Sequence, residues 1–171
     1  MADGKKGDPR PLLADAGSPW CTEEILNLLT WMRSYNETHP DDKVRFAGAD
    51  IVAVRRLAYE AITEYVGRTT PDRAGELERH FAVIRPEGHL PQHITWYRGL
   101  PDKQQFVDHA RQAYDLVRGL PATEGHALAL QHAKVILGFY TYHASQKVAY
   151  RDEQMSENVM WWRNLTGDRI V

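Results

Sequence analysis

A chain of 171 residues, 43% hydrophobic and 26% charged, is long enough for one domain with a buried core. Its formal charge of -2 gives no footing for nucleic acid or an anionic membrane, and its one cysteine, Cys21, excludes an intramolecular disulfide and a multi-cysteine zinc site. No apolar run nears the roughly 18 residues of a membrane helix and the N-terminus MADGKKGDPRP lacks a signal peptide's apolar core, so a soluble, cytoplasmic protein is expected.

Residues 1–19 are rich in Gly, Asp, Lys and Pro around one apolar pair, Leu12 and Leu13, which predicts a flexible N-terminal arm. Thr22 is a helix N-cap with Glu23 and Glu24 in the first turn. Ile25, Leu28, Leu29, Met32 and Tyr35 then form one face of a helix ending near Asn36, with Trp31 off that stripe. Pro40, Asp41 and Asp42 turn the chain into DDKVRFAGADIVAVRRLAYEAITEYV (41–66), whose period changes midway. Val44 and Phe46 alternate with Lys43 and Arg45 as in a short half-buried strand, 43–47. Val54, Leu57, Ala58, Ala61, Ile62, Tyr65 and Val66 recur at helical spacing, and Gly67 is the expected left-handed C-cap.

Thr70-Pro71-Asp72 opens a short helix carrying Leu77, Phe81 and Ile84. The segment RPEGHLPQHITWYRGLP (85–101) breaks the pattern with three prolines and two glycines, so it reads as a structured loop. Its Trp96 and Tyr97 either anchor that loop or line an apolar pocket. Asp102 caps a helix with Phe106, Val107, Ala110, Tyr114 and Val117, which stops at Gly119-Leu120-Pro121. A long helix starts near Thr123 and carries Leu128, Val135, Ile136, Phe139, Tyr142 and Val148. The last covers about 151–165, with Met155, Val159 and Trp162 as its core face and Gly167 closing it, and Asp168-Arg169-Ile170-Val171 reads as the opening of a second strand. The fold expected is mostly α, about two-thirds helix, with one or two short strands. So small a sheet needs about three strands or helix cover, so the sequence reads as part of a larger α/β protein.

Asp50 is the first candidate for chemistry. It either stands at a strand's carboxyl end, where open α/β sheets gather ligands, or caps the helix that follows. Arg151 and Asp152, at a helix start, cap backbone groups or clamp a polar partner bidentately. A strand at 44–47 running parallel to one at 169–171 would bring Asp50 and Arg151 to the same end of the fold. His89 and His93 have the spacing of helical zinc ligands, but Pro91 lies between them and no carboxylate stands at a motif position. His132 and His143 lie three turns apart and read as packing or solvent-facing residues. Cys21, with no base beside it, reads as a small packed apolar residue. No residue is assigned as catalytic, and no metal or cofactor is expected.

Three segments in series, PWCTEEILNLLTWMRSYN (19–36), VRFAGADI (44–51) and YRDEQMSENVMWW (150–162), resemble the erythromycin esterase family, hydrolases that open macrolide lactones. The resemblance implies a central α/β sheet decorated by helices, with residues 20–171 as a partial domain holding its helical middle. It implies hydrolysis of a carboxylic ester or lactone by general-base-activated water without an obligatory metal, and gives Asp50, Arg151, Asp152 and Asn158 site-supporting roles. The family's water-activating histidine lies in a Glu-Ala-x-His-Gly segment upstream of the tryptophan helix, and a second histidine follows a Trp-Ala-His-Asn-like strand downstream. Neither occurs here, so the resemblance implies that the isolated chain is inactive. The complete protein would take a small-molecule ester or macrolide-like substrate, with no nucleic acid or membrane partner and with self-association open through exposed sheet or helix faces. The alternative is a non-catalytic helical ligand-binding or interaction module derived from the same family.

Overall fold

The computed structural model describes residues 8–16 and 19–167, of which 73% are helical and none lies in a strand. The chain divides into two compact units at Gly48 and Ala49. In the first unit the arm expected to be irregular contains helix α1 (Pro9–Ala16). The signal was local: Asp8 accepts the Arg10 N–H at 3.0 Å, and Pro9 takes the first helical position, where a missing N–H costs nothing. Helix α2 (Glu23–Thr38) begins as expected, with the Thr22 hydroxyl accepting from the Ile25 N–H and Met32 buried on its inner face.

The stretch expected to be a strand, 43–47, has no ladder partner among the described residues. Asn36 takes that role with its side chain, donating Nδ2–H to the Val44 carbonyl (2.9 Å) and accepting the Val44 N–H on Oδ1 (2.8 Å). A side-chain amide has thereby satisfied the groups an alternating segment would have offered to a neighbour. The other expected strand, 168–171, lies outside the described residues. Cys21, expected to be packed, is exposed.

The second unit is built from α3 (Arg56–Thr69), a 3₁₀ turn (Pro71–Arg73), α4 (Ala74–Ile84), α5 (Leu90–Gly99), α6 (Gln104–Arg118), α7 (His126–Ser145) and α8 (Val148–Thr166). Helix α7 is its centre, touching α3, α5, α6 and α8. Tyr59, Ile62 and Val66 of α3, Leu77, Phe81 and Ile84 of α4, Ala110 and Val117 of α6 and Ile136, Phe139 and Tyr140 of α7 make one continuous core. These recur at three- and four-residue steps, so each helix buries a single stripe.

Three expectations change here. Gly67 does not end α3, which runs through it to Thr69 and is capped by Thr70. The 85–101 loop contains α5, because Pro91 falls in the helix's first turn, where proline is tolerated. Leu90, His93 and Tyr97 are buried along its inner stripe. Met155 and Trp162 are only half-buried, and the sole fully buried residue of α8 is Asn158. Gly138 of α7 matters for a different reason: a Cβ there would meet Ile51 Cγ2 at 3.2 Å, tighter than packing allows without displacement.

No described helix is long and apolar enough to cross a membrane. Far-UV circular dichroism is expected to show a helix-dominated spectrum, and a strand content above about a quarter would contradict this architecture.

Candidate functional site

The site is an irregular segment, residues 49–54, held against the helices of the second unit by side chains. Ile51 and Val54 are buried and fix its apolar side, with Ile51 resting on the gap left by Gly138. Its polar groups are met one by one. Asp50 Oδ1 accepts from Arg151 Nε at 3.0 Å and from the Val52 N–H at 3.1 Å, while Oδ2 accepts from Arg151 Nη2 at 2.5 Å. The Asp50 carboxylate therefore does not cap α3, which starts six residues later; it closes a local turn and receives a bidentate guanidinium.

Beneath this pair lies Asn158, 1% exposed. Its Nδ2–H donates to the Ala49 carbonyl at 2.7 Å, and its Oδ1 accepts from Gln131 Nε2, also at 2.7 Å. The amide thus links α7, α8 and the irregular segment through one buried side chain. Lys134 and Glu157 close the α7–α8 seam at 2.9 Å. Further along, the Val52 carbonyl accepts from His143 Nε2 at 3.0 Å, and His143 Nδ1 accepts from Arg98 Nε at 3.0 Å. An arginine can only donate, so His143 is a neutral imidazole carrying its proton on Nε2. Burial, foremost, and the Arg98 and His93 charges hold its pKa below the usual histidine value despite the Val52 bond.

Burial alone would raise the Asp50 carboxyl, but the Arg151 and Val52 hydrogen bonds and the Arg151 charge outweigh it and hold the group below the usual carboxylate range. A carboxylate kept ionised by a guanidinium is a poor proton acceptor. Asp152, the fourth candidate, is exposed beside it. Of the four sequence-predicted residues the structure brings Asp50 and Arg151 together and places Asn158 one bond away at Ala49. The stretch 43–47 has no ladder partner among the described residues and 168–171 lie outside them; among the described residues α8 and the 49–54 segment carry the meeting.

Gln131, Arg98 and His143 were not singled out from sequence as members of the cluster. The one available signal was chemical: Gln131 and His143 lie among the buried residues of α7, a helix whose other buried positions are apolar or aromatic. His93 is tied to the Tyr140 hydroxyl and His89 is exposed, and no group of three metal-capable side chains gathers among the described residues. Trp96 lies on a cleft between α4 and α5 with Ala82, Val83, Arg85 and His93, whereas Tyr97 is core.

The arrangement defines a helical domain whose buried polar contacts converge on one irregular segment. The chain belongs to the erythromycin esterase family, whose sequence model, "Erythromycin esterase", matches residues 4–171. Two solved structures share the fold: a succinoglycan biosynthesis protein (TM-score 0.77, 23% identity, 93% of this chain and 40% of that one) and a Bacillus cereus protein (TM-score 0.73, 25% identity, 94% and 45%). The chain thus spans less than half the length of either. Among curated proteins none matches.

Proposed function

We propose that the chain is the helical part of a hydrolase that opens a carboxylic ester or macrolide-like lactone with base-activated water in the cytoplasm, and that it does not perform the reaction by itself. The carrying observation is that two segments bearing the family resemblance, 44–51 and 150–162, are bonded to each other through Asp50–Arg151 and Ala49–Asn158. Asn158 holds the backbone at Ala49 and Arg151 holds the Asp50 side chain, so Asp50, Arg151 and Asn158 serve to position a site, with Asp152 at its exposed margin. A positioned general base contributes about a hundred- to ten-thousand-fold, and neither histidine motif that the family resemblance implies occurs in this sequence.

Incubation of the purified chain with erythromycin, followed by mass spectrometry for the water adduct, is expected to show no opening above the uncatalysed rate. Turnover that disappears when one histidine is replaced would overturn the proposal and show that the chain carries its own base.

A further inference from the structure

We propose that the cleft between α4 and α5 is a binding site for a small phenolic amine, with His93 accepting a hydrogen bond from the phenol, Trp96 stacking on the ring and Glu87 pairing with the ammonium group. The reading is independent of the hydrolase proposal and concerns a different part of the unit.

The cleft is an open concavity of about 360 Å³, at the lower end of the range of small-molecule sites. Its inner wall is His93, nine-tenths buried at 9% exposed. The hydrogen-bond order behind it decides what His93 can do. Tyr140 donates its hydroxyl proton to the Ile84 carbonyl, so its oxygen is left to accept, and His93 Nε2, 3.0 Å away, is the donor. The His93 proton is therefore committed inward, and Nδ1 remains as an acceptor with no hydrogen bond among the described residues. A ligand meeting it must bring an O–H or N–H.

The apolar wall is Trp96, 51% exposed, which leans on Phe106 edge-to-face at 5.6 Å and stands 5.4 Å from the His93 ring. A large indole fixed from behind and open in front is a stacking surface for a second ring. The charge balance selects the sign of the ligand. Both Arg85 Nη groups bind the Glu78 carboxylate at 2.9 Å, so that cation is compensated, while Glu87 lines the cleft with no ion pair among the described residues. The open charge is negative, and it favours a cation.

The test is an NMR titration of the 15N-labelled chain with tyramine, phenethylamine and p-cresol. Tyramine is expected to bind saturably with shifts centred on residues 82–96, and each of the other two, lacking the hydroxyl or the ammonium, to bind at least about tenfold more weakly. Trp96→Ala and Glu87→Gln, both at exposed positions, are each expected to weaken tyramine by a similar factor while the remaining spectrum is unchanged. Absence of saturation at about 10 mM tyramine, equal affinity for phenethylamine, or shifts confined to another part of the unit would overturn the assignment.

Discussion

Asn158→Leu is expected to cost about 1–4 kcal/mol of stability, since it strands the buried Gln131 Nε2–H at about 1–3 kcal/mol and removes a hydrogen bond of up to about 1 kcal/mol from the part-buried Ala49 carbonyl. A domain of ordinary stability has only about 5–15 kcal/mol to lose. Urea unfolding followed by circular dichroism measures the loss. Replacing Gln131 by leucine in the same chain is expected to return part of it, because an apolar pair strands fewer groups than a half-broken polar one. Full additivity of the two changes would mean that the amides do not form the contact described.

The second large effect is on pH. His80, His93 and His143 all have pKa values below that of a free histidine. Burial is the first cause in each, joined at His80 by the charge of His109, whose Nδ1 lies 3.0 Å from its own, and at His143 by Arg98 and His93. The folded state thus favours the neutral imidazoles. Their contribution is fully present above the unfolded value of about 6.5 and is lost as pH falls through the lower folded values. Asp50, Glu76 and Glu157 are shifted below the usual carboxylate range, so their contributions fade only at more acid pH and leave the histidine window separate. The urea midpoint is expected to be lower at pH 5.5 than at pH 7.5, and a rise on acidification would remove the histidines from the account.

The helices were legible because each buries one stripe: Leu77, Phe81 and Ile84, or Phe106, Val107 and Ala110, declare themselves at three- and four-residue steps. Helix α5 was hidden because three prolines in 85–101 suggest a break, and only the position of Pro91 within the first turn distinguishes a helix start from a loop. The strand at 43–47 misled for the opposite reason. Alternation describes what a segment could offer a partner, and here Asn36 answered it. The spacing of Met155, Val159 and Trp162 predicts a core face that α8 only half has, since its buried member is an amide. Asp50, Arg151 and Asn158 were reachable through the family-like segments, but Gln131, Arg98 and His143 were not, because their bonds cross 27, 45 and 91 residues of chain. No local period records such pairs.

The fastening of residues 49–54 has a kinetic consequence. Helix amides in α7 are locked in a ladder and exchange with solvent only when a large part of the unit opens, whereas the irregular segment is held by discrete latches: an amide at Ala49, a guanidinium at Asp50 and an imidazole at Val52. Each latch can release without melting a helix. Deuterium should therefore enter at Val52 well before it enters α7, and by thermodynamic reciprocity anything that binds and orders this segment must tighten the grip of Arg151 and Asn158 on it.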